Sequence, residues 1–400
     1  MSSVSPVIGG DFSLRDVVAQ RHIMVCCGTG GVGKTTTAAV LAIEGARQGR
    51  RAVVVTIDPA KRLADALGLD ALADHATVIE HALWDPEGVS QGVLSALMLD
   101  TKSTFDDLVH EHAPDTESAQ RILDNRFYRN VSGALGGTQE YMAMEKLYEL
   151  NASGAFNLIV IDTPPSRHAL DFLDAPQRLL RLLDNRMFRL LMAPTRTYMK
   201  IAGAALTTLL RTVSRVVGRE VVDDAISFFQ AFEGMEQGFR DRAAHVQTLI
   251  DDPATAFVLV TSPRRDAIEE ATFFADRLRS NKLAVAALVV NRIHPEFGSA
   301  EPSAIRAAAT RFDPVTQTRT GSTEPPEGEG KELPSGSHRA AAELLNNLAD
   351  YRDVARRERD ALSGLTARIG AAAVAHVPLL DHDVHDLASL QSVATYVFPA

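Results

Sequence analysis

Gly28-Thr29-Gly30-Gly31-Val32-Gly33-Lys34-Thr35-Thr36 follows the apolar run Ile23-Met24-Val25-Cys26-Cys27 and precedes an alanine-rich, helix-favouring segment, residues 37–48. A strand, a glycine-rich turn and a helix in that order make a phosphate-binding loop. Glycines let the chain curl so that successive backbone N–H groups face phosphate oxygens, and the following helix aims its positive end at the same anion. Lys34 can then reach the outer phosphates and the Thr35 hydroxyl can ligate Mg²⁺. Residues 28–36 are thus the candidate nucleotide-binding set, with Lys34 also a candidate catalytic group.

Working outward, 400 residues with 46% hydrophobic content can bury one large α/β core. A net charge of −10 argues against a broad grip on nucleic acid, which needs clustered Lys and Arg. The two cysteines, Cys26 and Cys27, are adjacent in an apolar run, where core side chains are expected rather than a metal or redox pair. Sparse cysteine, an N-terminus with Asp11 and Asp16 but no long apolar run, and no membrane-length apolar stretch are expected of a cytoplasmic protein.

Short apolar, mostly β-branched runs recur at 52–57, 97–99, 156–161, 256–261, 284–290 and 374–377, separated by segments of helical period. This alternation predicts a mostly parallel, helix-covered sheet, the α/β class of phosphate-loop NTPases. Asp58, Asp162 and Asn291 stand at or just past strand ends, where such sheets bind ligands. We expect an N-terminal extension over 1–20 and one ATPase domain over 21–400. Inserted α-helical layers are expected at about 101–153 and 168–250, and a Pro-, Gly- and Glu-rich, partly loop-like segment at 295–338.

Two further clusters are Thr56-Ile57-Asp58-Pro59-Ala60-Lys61-Arg62-Leu63-Ala64-Asp65 and Ile161-Asp162-Thr163-Pro164-Pro165-Ser166-Arg167-His168-Ala169-Leu170. From the residues alone, Asp58 could orient an attacking water or cap the next helix, and Asp162 could hold Mg²⁺ through water or act as a cap. Together with the loop, these clusters resemble the ArsA family of arsenite-pump ATPases and ATPases that target tail-anchored membrane proteins. The likeness extends through residues 99–106, 139–147, 289–292 and 377–380. It implies a deviant phosphate-loop ATPase that uses ATP and Mg²⁺, with Asp58 as the catalytic switch aspartate and Thr35, Asp58 and Asp162 as the magnesium set. By the same likeness Asn291 contacts adenine and Pro378 begins the other wall of the base pocket, although Asn291 also reads as a turn asparagine.

His376, His382 and His385, near Asp381, Asp383 and Asp386, are expected in a solvated acidic loop rather than a metal site. Met142, Met144, Met187, Met192 and Met199 read either as core or as an adaptable groove for an apolar client helix.

Most members of the class carry a signature lysine directly after the first loop glycine, reaching across a dimer to the partner's phosphates. Here Thr29 occupies that position. A heterodimer with a related subunit that keeps the lysine is therefore expected, with a homodimer as the alternative. Replacement in cis by Lys61, Arg62 or Arg167 is the competing idea. The expected function is hydrolysis of ATP to open and close a dimer that chaperones or targets hydrophobic or membrane-protein clients, with peripheral membrane contact left open. The alternatives are a regulatory pseudo-ATPase subunit and the energising subunit of an anion pump. Without paired cysteine thiolates, arsenite binding and a zinc clasp are not expected.

Overall fold

The structure is a computed structural model describing residues 13–58, 61–126, 128, 138–163, 171–184, 218, 220, 222, 224, 227–228, 235–312, 335–370 and 372–399. Among the described residues eight strands are β1 Ile23–Cys27, β2 Arg51–Thr56, β3 Thr77–Val78, β4 Val93–Met98, β5 Leu158–Asp162, β6 Thr255–Thr261, β7 Val285–Ile293 and β8 Ala373–Pro378. They form one sheet in the order β3-β4-β2-β5-β1-β6-β7-β8. Every neighbouring pair is parallel except β3 with β4. The six runs read from the sequence are all strands, and the short antiparallel edge strand β3 adds to them.

Burial on both faces explains the near-continuous apolar character of the central strands. Along β1, Ile23, Val25 and Cys27 face one core layer while Met24 and Cys26 face the other. The second layer packs under helices Leu14–Gln20, Lys34–Arg47 and Leu387–Val397. The first packs under helices that include Thr101–His112, Thr138–Ala152, Glu236–Asp251 and Arg265–Ser280. Within that helical layer Glu145 is buried, and it is answered by the Tyr141 hydroxyl and by Arg242 Nη1 at 3.1 Å.

Strand order positions the site. From β1 the chain passes to β2 and β4 on one side, whereas β6, β7 and β8 lie on the other. The crevice at such a reversal, beyond the carboxyl ends of the strands, is where open α/β sheets take ligands. The Lys34–Arg47 helix lies close to the sheet because its inner face is small: Ala38, Ala39, Ala42 and Ala46 are wholly buried. A Cβ on Gly45 would come within 2.2 Å of Leu158 Cδ2.

Part of the stretch set apart as 1–20 forms a core helix, capped by the Ser13 side chain, with Leu14, Val17 and Val18 buried. Within the segment read as partly loop-like, 295–338, Pro302–Phe312 is a helix whose Ile305 and Ala309 are buried; residues 313–334 lie outside the described set. Met142 and Met144 are core, at 1% and 0% exposure, so they line no client groove. Met187, Met192 and Met199 lie outside the described residues.

The junction of the Lys34–Arg47 helix with β4 is a strict test of this packing. A Cβ on Gly92 would lie 1.9 Å from the Ala46 carbonyl oxygen and 2.8 Å from that of Arg50, both backbone atoms that cannot rotate aside. Gly92→Ala is expected to destabilise the chain by about 1–3 kcal/mol in urea unfolding; a change within about 0.5 kcal/mol would contradict the packing.

Candidate functional site

Four helices begin with a side-chain cap, from Ser13, Asp100, Asp115 and Asp386, whereas those starting at Arg62, His81, Glu236 and Arg265 have none. The Lys34–Arg47 helix begins at Gly33, left-handed at φ 96°, with no side-chain cap. Its first amides therefore lack the local acceptor that most helix starts provide. Gly31 is left-handed as well (φ 77°), so the turn before the helix needs glycine at both positions. Gly28 is needed for space, since a Cβ there would lie 2.1 Å from the Val260 carbonyl oxygen of β6. Among the described residues, the amides of Gly31, Gly33 and Lys34 donate to no backbone acceptor. A glycine turn with inward amides at a helix start is the cradle a phosphate chain fits.

Lys34 is buried, and its ammonium donates to the Thr29 carbonyl oxygen at 2.9 Å, folding over its own loop. Val32 is buried in the core and anchors the loop, while Gly30 and Gly31 are exposed. Thr36 is half-buried in the first turn.

Beside the loop, β5 ends at Asp162, which is paired in register with Cys26 of β1 and Thr56 of β2. The carboxylate is 1% exposed. Its Oδ2 accepts from Thr35 Oγ1 at 2.7 Å and from Thr56 Oγ1 at 3.1 Å. Its Oδ1 is buried without a partner among the described residues. An unanswered buried carboxylate oxygen is costly and marks a position where a cation or water belongs. With the Thr35 hydroxyl, the donor set is all oxygen, which suits a hard divalent ion such as Mg²⁺.

Asp58 lies just past β2, half-buried, with Oδ2 3.3 Å from Arg62 Nη1. Its amide donates to Thr56 Oγ1 at 3.3 Å. Thr56 therefore touches both carboxylate-bearing segments at once. The sequence reading passed over Thr56 because a threonine in a β-branched run looks like strand propensity; its place at the last strand position was the available signal. Thr163, buried after β5, likewise donates to the Cys26 carbonyl oxygen at 2.7 Å.

Burial dominates the electrostatics. It pushes Asp162 up to about 6, against the Thr35 and Thr56 hydrogen bonds and the Lys34 charge. It also pulls Lys34 below the ordinary lysine value, with Asp162 opposing. Both cysteines are buried and free of any disulfide, and burial pushes Cys26 up and Cys27 up to about 12, so each is a protonated thiol.

Asn291, on β7, donates from Nδ2 to the Val32 carbonyl oxygen at 2.8 Å and accepts the Arg292 amide at 2.9 Å. The structure thus brings Asn291 onto the loop's main chain. Pro378 pairs in register with Ile293 at the ends of β8 and β7, and Leu379 donates its amide to the Ile293 carbonyl oxygen. His376 lies in β8, while His382 and His385 bond Asp381 Oδ1 and the Asp383 carbonyl oxygen. Among the described residues no cluster of three or more His, Cys, Asp or Glu could hold a metal, and no helix is long and apolar enough to cross a membrane.

Comparison with known proteins adds an independent finding. A family model described as anion-transporting ATPase matches residues 21–309. The chain is similar to ATPase GET3C of Arabidopsis thaliana, 27% identical over 299 residues that cover 70% of this chain and 69% of the relative. It is also similar to ATPase GET3 of Malassezia globosa (25% over 290 residues, 72% and 78% covered). ATPase get3 of Aspergillus terreus is 26% identical over 307 residues, with 75% and 83% covered.

Asp162 yields a pH test. Its folded value lies above the unfolded one, so the folded chain binds the proton more tightly and loses stability as pH rises through about 6. Without nucleotide or Mg²⁺, Asp162→Asn is expected to be more stable than wild type at pH 8 by about 1–3 kcal/mol. The gap should shrink toward pH 4. A urea-unfolding series from pH 4 to 8 that finds the variant less stable at pH 8 would refute the assignment.

Proposed function

The chain belongs to the anion-transporting ATPase (ArsA) family and is an ATPase, and we propose on that premise that it couples hydrolysis to the opening and closing of a dimer. The amides of residues 28–36 bind the phosphate chain, and Lys34 leaves the Thr29 carbonyl for the outer phosphates. Thr35 and Asp162 would hold magnesium, and Asp58 would position the attacking water. Bound Mg²⁺ supplies charge neutralisation at the phosphates. The observation that carries this reading is Asp162: a carboxylate sealed from solvent, fixed through Oδ2 by Thr35 and Thr56, and left with Oδ1 unanswered.

Thr29 has neither the charge nor the reach of the signature lysine. Charge donated in trans to a phosphoryl transition state contributes about 10³–10⁵ in rate. A related subunit carrying that lysine completes the site in our reading. Clients are hydrophobic or membrane-protein segments, as the family likeness implies. The arsenite-pump reading is disfavoured because both thiols are buried in the sheet and protonated.

Steady-state turnover tests both parts. Lys34→Ala is expected to abolish ATP hydrolysis. The wild-type chain alone is expected to turn over slowly, and a lysine-bearing related subunit to raise kcat by about 10³ or more. Full activity of the chain alone, abolished by Arg62→Ala or by Arg167→Ala (Arg167 lying outside the described residues), would replace the partner with a charge in cis.

A further inference from the structure

Asn291 and residue Val32 are 259 positions apart in the chain, yet the Asn291 side-chain amide bonds the Val32 carbonyl oxygen at 2.8 Å. The approach is so close that a Cβ on Gly33 would lie 2.3 Å from Asn291 Nδ2. Gly33 is thus required twice, once for its left-handed backbone and once for the room it gives this side chain. On the other side, Asn291 Oδ1 accepts the amide of Arg292, a non-glycine residue held at φ 60°. Left-handed backbone at an arginine is strained and persists where surrounding contacts over-determine it. Each half of the Asn291 amide is therefore engaged with backbone: the donor with the loop and the acceptor with the strand end.

The peptide between Val32 and Gly33 is planar, with its carbonyl and amide pointing in opposite directions. Holding the Val32 carbonyl on Asn291 consequently turns the Gly33 N–H away from β7. Gly33 N–H has no acceptor among the described residues, and it is one of the amides of the cradle.

We propose that Asn291 is a positioning residue of the phosphate cradle: from the end of β7 it clamps the Val32–Gly33 peptide and fixes the direction of the Gly33 amide. The proposal rests on the reading of residues 28–36 as a triphosphate site. It departs from the role of a base reader, because a clamp acts on phosphate recognition whether or not a base is attached. Neither alanine nor leucine can donate to the Val32 carbonyl, and leucine keeps the approximate volume of asparagine.

Calorimetric titration of the full-length chain with ATP and, separately, with inorganic tripolyphosphate, each with magnesium chloride, separates these roles. In Asn291→Ala and Asn291→Leu both ligands are expected to weaken by about tenfold, leaving their affinity ratio at the wild-type value. Weakened ATP with unchanged tripolyphosphate would make Asn291 a base reader and overturn the clamp. A lowered unfolding midpoint with both affinities intact would overturn it too, leaving only a strand-end brace. Should either variant fail to fold, Asn291→Ser, a smaller change at this half-buried position, is read by the same two criteria. A wild-type chain that binds neither ligand overturns the triphosphate reading itself, and wild-type binding with unaffected variants overturns the clamp alone.

Discussion

A carboxylate almost wholly removed from water, at the end of a central strand, is the constraint around which this site is arranged. Charge in that environment is tolerated when hydrogen bonds and a nearby opposite charge answer it. Asp162 has two hydroxyls on one oxygen, from Thr35 and Thr56, and the Lys34 ammonium contributes favourably to its charge. Those donors come from the helix after β1 and from the end of β2, so the partners of one carboxylate tie three chain segments into a single site. Its remaining oxygen is unanswered among the described residues, and it is there that the proposed divalent ion would sit.

The same economy runs through the loop. Glycine at 28 gives β6 room, glycine at 33 gives Asn291 room, and the left-handed backbone at 31 and 33 directs the intervening amides. Lys34 folds onto Thr29, the position where most members of the class carry a lysine. A buried ammonium with a backbone acceptor is stable at rest and can exchange that acceptor for a phosphate oxygen, at the cost of one hydrogen bond. Thr56 links Asp162 to the amide of Asp58, so the segment expected to guide water is mechanically joined to the segment expected to hold the ion.

Much of this was legible in the sequence, because its signals are local. The loop announces itself through glycine spacing between a strand and a helix, and Asp162 closes the four-residue apolar run 158–161. Other parts were hidden for physical reasons. Thr77–Val78 is too short for a period-two pattern to register, so the antiparallel edge went unread. The helix Pro302–Phe312 was masked by the composition of the segment around it. Thr56 looks like any β-branched strand residue until the register sets it beside Asp162. The Asn291 contact joins residues 259 positions apart, and only the order of β1, β6 and β7 brings its two ends together. Met142 and Met144 read either as core or as groove, and packing settles these two as core.

The central claim is that Thr35 and Asp162 form a magnesium position coupled to the phosphate cradle. Calorimetric titration of ATP into the wild-type chain and into Thr35→Val, each with and without Mg²⁺, tests it most directly. The account predicts that Mg²⁺ tightens ATP by about tenfold or more in wild type, and that the effect disappears in the valine variant. Equal tightening by Mg²⁺ in both proteins would contradict it.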